Sequence, residues 1–173
     1  MQATIVVQKA EAYTELSKLT AYEASRAGMY DTARTTDGDN ILLEFFWAQA
    51  CATITGELRQ FLVNMGTVNT EPDTVEAEAD FTALLNLSAS FPPALLTPLG
   101  INMRMWFIYY MAAEWFRINL PEKAEAYKAM AIDQLGEVKQ KVFFKAPPRR
   151  SKPWETTDDD ETTTDDDETS TDE

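Results

Sequence analysis

"LGINMRMWFIYYMAAEWFRINLPEKAEAYKAMAIDQLGEVKQKV", residues 99–142, decides how this chain folds. Its first half, Leu99 to Ile118, is apolar on nearly every side of a helix. Such a helix has to be enclosed by other elements or by a partner subunit. Arg104 and Glu114 interrupt the apolar run. Its most apolar part, "INMRMWFIYYMAAEWF", is also shorter than the roughly 20 residues a membrane span needs, so a buried core helix is expected. The two charges lie too far apart to pair along one helix, so each should snorkel or meet a partner on another helix. "RINLPEK" is a tight break, with Pro121 suited to the first position of a new helix. Beyond it Ala124, Tyr127, Ala131, Leu135, Val138 and Val142 recur at helical spacing and make one face. The stretch therefore reads as a helical hairpin.

Working back from it, "ILLEFFWAQACATITGELRQFLVNMG" is a second strong helix, with Asp39 or Asn40 as its N-cap and Gly66 as its stop. Leu43, Trp47, Ala50, Ile54 and Phe61 lie near one face, and the stripe is broad enough to contact more than one neighbour. Before it, Val6, Ala10, Tyr13, Leu16 and Thr20 follow helical spacing, with Lys9, Glu15 and Lys18 off that stripe. "RAGMYDTARTTDGDN" breaks the pattern with Gly28 and Gly38. Asp73 with Glu76 reads as the start of a shorter helix closed by Pro92 and Pro93. "ATIVV" is the only β-branched cluster, a short strand or an arm. The expected fold is all-α, a bundle of four to five helices with a disordered acidic C-terminal tail.

The 173 residues suit one domain with an appendage. The net charge of −14 is concentrated at the end of the chain. Residues 155–173 hold 11 of the 29 acidic residues and no basic one, which leaves 18 acids against 15 bases in the rest. Three segments follow: a helical body over residues 1–146, a Pro/Arg-rich basic strap over 147–154, and an acidic low-complexity tail over 155–173. The tail repeats "ETTDDD", "ETTTDDD" and "ETSTDE", and a segment without apolar residues cannot offset the entropy of ordering. Met1 to Tyr13 has neither a basic n-region nor a long apolar h-region, so no secretory signal is expected.

The residue types narrow the chemistry. There is no histidine, which removes imidazole acid–base catalysis and the commonest transition-metal ligand. Cys51 is the single cysteine and sits in an apolar run, where it reads as a small buried residue. Glu44, Glu57 and Glu114 fall on helices and read as solvated or paired carboxylates. "DGDN", Asp37 to Asn40, resembles the start of a calcium loop, but Leu42 stands where that loop needs glycine, so a turn and helix cap is the reading. No phosphate-binding glycine loop and no nucleophile elbow is present. An enzyme is not expected, and no cofactor or metal is.

The partner-binding candidates are at the end. Lys139, Lys141, Lys145, Arg149, Arg150 and Lys152 follow one another without an intervening acid, and Trp154 closes the strap. The strap reads either as a solvated linker or as a contact for an acidic surface: nucleic acid, another subunit, or the tail itself. Any DNA contact should be independent of sequence, because no recognition motif is present and the tail repels phosphate. In the tail, Asp158, Asp159, Asp160, Asp165, Asp166 and Asp167 serve solubility, dock on a basic partner, or mimic nucleic acid and shield the strap.

"YTELSKLTAYEASR", "LLEFFWAQACATITGELRQFLV" and "AAEWFRINLPEKAEAYKAMAIDQLGEVKQKVFFKAPPRR" together resemble small helical proteins encoded among the structural genes of Bacteroides tailed phages and prophages. The resemblance spans most of Ala12 to Arg150 and leaves out the acidic tail. It implies a virion component of the neck, connector or head–tail region, with portal or neck proteins and copies of itself as partners, assembled in the host cytoplasm. It carries over no catalytic residue. A different class of function, a soluble regulatory or inhibitory binder whose tail mimics nucleic acid, remains the alternative at this point.

Overall fold

The structure is a computed structural model that describes residues 1–63 and 80–144. In chain order these form β1 (Gln2–Val7), α1 (Lys9–Arg26), the single-turn α2 (Tyr30–Ala33), α3 (Asn40–Leu58), β2 (Phe81–Asn86), α4 (Leu96–Asn119) and α5 (Pro121–Val142). The helical bundle is as expected, and a two-stranded sheet is added to it. The start signal at Asp73 and Glu76, the stop at Gly66, the strap and the tail lie outside the described residues.

The hairpin of α4 and α5 is the frame. Pro121 takes the first turn of α5, where its missing N–H costs nothing. Ala124, Tyr127, Ala131, Val138 and Val142 are buried on the face predicted for them. Helix α4 is buried on most of its circumference and touches β1, α1, α2, α3 and α5. At its centre Phe107, fully buried, meets Trp47 of α3 at 4.7 Å between ring centroids, Phe81 of β2 at 5.1 Å and Trp106 at 5.1 Å. Lower down, the Trp115 indole N–H donates to the Ala33 carbonyl at 2.7 Å and fixes α2 against α4. The two charges of the apolar run both find partners, Arg104 on another helix as expected and Glu114 one turn along its own helix, which was not. Arg104 reaches Glu11 on α1 at 3.2 Å, and Glu114 pairs with Arg117 at 3.1 Å.

Four local expectations are corrected. The segment Phe81–Asn86, read as the end of a helix closed by Pro92, is a strand. Its alternation puts Phe81, Ala83 and Leu85 inward, opposite Val7, Ile5 and Ala3 of β1 in antiparallel register. Leu84 blurred the pattern because it is itself half-buried, where the chain after α3 runs beside it: the Val63 N–H donates to the Leu84 carbonyl at 2.9 Å. That pairing is also why α3 stops at Leu58 and Phe61 lies beyond it. "ATIVV" resolves as β1, so Val6 points outward from a strand, and the buried stripe of α1 runs Lys9, Ala12, Leu16, Thr20, Glu23. Lys9 is thus on the stripe. Finally, Asp39 stands at the N-cap of α3 as expected, but its carboxylate makes no capping bond to that helix. It accepts from the Thr36 N–H at 2.8 Å and the Thr36 hydroxyl at 2.7 Å, closing the short 3-10 turn before the helix. Gly28, with φ at +69°, supplies the left-handed residue that reverses the chain after α1.

The core is continuous through Phe107, so removing that ring opens a cavity against α3, β2 and its own helix at once. Phe107→Ala is expected to cost about 3–5 kcal/mol, read as a lower urea midpoint with an unchanged slope.

Candidate functional site

Helix α1 is held at both ends by the same three residue types. At its start the Lys9 ammonium, 5 % exposed, pairs with Glu44 of α3. The Tyr13 hydroxyl donates to the other oxygen of Glu44 at 3.2 Å, and the Lys9 backbone N–H donates to Asp80 at 2.9 Å. At its end Glu23, 7 % exposed, pairs with Lys123 of α5 at 2.7 Å and accepts from the Tyr127 hydroxyl at 3.1 Å. A buried charge is tolerable only with such partners, and losing one partner leaves the other charge stranded.

Between the two ends, α1 and α4 leave an open cleft of about 710 Å³. Leu19, Met105, Ile108 and Tyr109 give it an apolar floor. The Arg104–Glu11 and Lys18–Glu15 ion pairs edge it, and Tyr127 with Glu23 closes it against α5.

The titratable groups here are set for structure. The hydrogen bond from Lys123, joined by that from Tyr127, holds the Glu23 carboxyl below its ordinary value against the opposing effect of burial. Burial, and then the charge of Glu23, pushes the Tyr127 phenol well above its ordinary value. Tyr13 is raised in the same way by burial and Glu44. Near neutral pH the carboxylate stays charged and the phenols stay protonated, so neither triad is poised to move a proton. Burial also pushes the Cys51 thiol up to about 12, which makes it a packing residue, as expected. Glu57 and Glu114 are each engaged by a cation of the same chain. Among the described residues no group of three or more acidic or cysteine side chains is placed to hold a metal, and no helix is long and apolar enough to cross a membrane.

Of the predicted strap residues, Lys139 and Lys141 lie on α5, and both are turned onto their own chain. Lys139 pairs with Glu57 at the end of α3 and Lys141 with Glu137. Lys145, Arg149, Arg150, Lys152 and Trp154, and the aspartates 158–160 and 165–167, lie outside the described residues. The triads were not foreseen. The available signal was the position of Lys9 and Glu23 in step with Leu16 and Thr20 on one helical face. No protein family, no curated protein and no solved structure matches the chain.

Two outcomes follow from these environments. Glu23 has a depressed folded-state pKa, so its contribution is complete above the ordinary carboxyl value near 4.5 and fades as pH falls through the lower folded value. Glu23→Gln should therefore melt earlier than the parent at pH 7, with the gap closing in acid, as read by thermal melts across pH. Cys51 should react with a thiol reagent only as fast as the protein opens, and promptly once urea unfolds it.

Proposed function

We propose that this chain is a non-enzymatic structural and assembly protein of a tailed-phage particle. It would be a neck, connector or ring component that packs as a multimer against portal or neck proteins. The observation that carries this reading is where the apolar side chains end up. Ile41 and Phe45 of α3, Ile118 of α4, Ile132 of α5 and Phe143 just after it are all exposed, although each helix also has a buried side. A subunit that touches neighbours on several sides needs apolar contacts on several elements. The groups that could do chemistry are instead used to fix α1 and to fill the core.

The resemblance to Bacteroides phage structural proteins supports the particle setting. In this reading the strap and the acidic tail reach neighbouring subunits electrostatically, which is the use polarised chain ends allow. Lys139 then serves to anchor the base of the strap to α3 through Glu57, and the cations from Lys145 onward are the ones this reading assigns to a partner.

Peptide mass spectrometry of purified particles is expected to find the chain in multiple copies, and deletion of its gene should stall assembly at the head–tail junction. Particles that lack the chain and still assemble normally would sink the proposal.

A further inference from the structure

The chain treats the two edges of the β1–β2 ribbon differently. On the outer side of β2 the Val63 N–H donates to the Leu84 carbonyl at 2.9 Å and the Asn86 N–H to the Phe61 carbonyl at 2.6 Å, so the segment after α3 covers that edge. Those bonds fix the phase of the ribbon. Leu84 and Asn86 point their backbone groups away from β1, so Phe81, Ala83 and Leu85 exchange theirs with Val7, Ile5 and Ala3, and Leu87 with Met1 continues the series. The backbone N–H and C=O groups of Gln2, Thr4 and Val6 therefore point the other way, to the free edge of β1. Among the described residues nothing bonds to them there, and all three residues are exposed. Natural sheets blunt such an edge with a charge, a proline or a bulge. Gln2–Val7 holds no charge and no proline, and its six residues pair without a bulge. Beside the edge runs an open groove of about 350 Å³, between Val6 and Gln8 on one side and Thr97, Gly100 and Ile101 of α4 on the other.

We infer that the free edge of β1 binds β1 of a second copy, antiparallel and about a two-fold axis at Thr4, so that the two ribbons join into one sheet. A row of outward N–H and C=O groups selects an extended backbone as its partner. The groups fall evenly about Thr4, so β1 is its own complement. Thr4 faces Thr4, and Gln2 of each copy faces Val6 of the other, each facing pair exchanging both of its hydrogen bonds. On the outer face of the sheet this sets threonine on threonine, a favourable cross-strand pair. On the inner face it sets Ala3 of one copy beside Ile5 of the other. With no charge in the strand, self-pairing brings no like charges together. The groove agrees with the direction. It flanks the Val6 end of β1, and an antiparallel partner lays its Met1 end there. The Met1 side chain, on the Ala3 side of the strand and 43 % exposed, then comes over Ile101, 48 % exposed. The second copy is favoured over a loose peptide because its strand is already formed and held by β2, so pairing orders little new chain. An isologous contact of this kind is the commonest way for a chain to pair with itself. The pairing deepens the assembly reading and rests on it for its purpose, while its geometry stands on β1 alone.

The test is the mass of the full chain by sedimentation over a range of concentrations, for the parent, Thr4→Lys, Thr4→Glu and an equimolar mixture of the two variants. The expected parent is a concentration-dependent dimer. Each variant sets two like charges against each other on the axis and should weaken association by about tenfold or more. The monomer stays folded, since a charge on an exposed edge is how such strands are ordinarily blunted. Mixing the variants should restore pairing, because lysine then faces glutamate. Amide exchange reads the hydrogen bonds directly. The Thr4 and Val6 amides should become protected as concentration rises in the parent and stay open in Thr4→Lys, while those of Ala3 and Ile5 are protected in both. For register, Thr4→Cys should cross-link to itself under mild oxidation, and Gln2→Cys should cross-link to Val6→Cys more than to itself. A parent that stays monomeric overturns the inference, and so does a dimer whose Thr4 and Val6 amides exchange freely. A mixture that fails to restore pairing overturns it as well, as does a lysine that unfolds the monomer, which would mean the edge is covered within one chain. Finding the chain in particles despite a monomeric solution state would remove the β1 pair and leave the assembly role. A dimer absent from particles would do the reverse.

Discussion

A helix with no polar side cannot be left at a surface, and α4 is such a helix. It has to be covered around most of its circumference, and the rest of the fold is the set of elements that cover it. Helix α5 folds back along it directly, because Pro121 permits an immediate turn into a new helix. Helices α1 and α3 take two further sides, and the β1–β2 ribbon lies across the N-terminal half. Phe107 is where these layers meet, touching rings from α3 and β2 as well as its own helix. The hydrophobic term is non-directional, and covering α4 would tolerate many placements of the surrounding elements. Direction has to come from elsewhere.

It comes from α1. That helix is the least apolar of the long elements, and its stripe includes a lysine and a glutamate. Both are buried, and both find an opposite charge on another helix, Glu44 at one end and Lys123 at the other; a tyrosine bonds the carboxylate of each pair, Tyr13 from α1 itself and Tyr127 from α5. Such pairs add little net stability relative to apolar packing, because desolvation offsets most of the attraction. Their value is that a misplaced charge is costly, so α1 is held at one rotation and one height. The same geometry explains why the cleft between α1 and α4 stays open. The helix is pinned at its ends by charge rather than drawn inward along its length by apolar contact.

The parts of this fold legible in the sequence are those written in local spacing. The α4–α5 hairpin follows from a long apolar run, a proline and a six-position stripe, none of which needs knowledge of distant residues. The strand β2 was hidden because its meaning is non-local. "FTALLN" alternates only for six residues, and the half-buried Leu84 breaks the pattern where its carbonyl accepts from the Val63 N–H, more than twenty positions earlier. The triads were hidden for a related reason. A lysine near a helix start reads as solvated unless one knows that a strand precedes it and shifts the stripe by a turn. The cleft was not legible at all, since it is a space between elements. Lys139 and Lys141 read as part of a free basic strap, yet each has an acid within reach that spacing alone could reveal only for Lys141, four residues from Glu137.

Helices α3 and α4 make the most informative comparison. Both are apolar around most of their circumference, and by composition both call for enclosure. The chain meets that call for α4 and leaves it unmet on one side of α3, where Ile41 stands almost fully in water and Phe45 largely so. Selection for solubility alone would place polar residues there, as it does on the outer faces of α1 and α5, where glutamates and lysines predominate. The outer face of α3 has alanine and glycine instead, residues that add little apolar area but permit close approach. A surface built to avoid association uses charge.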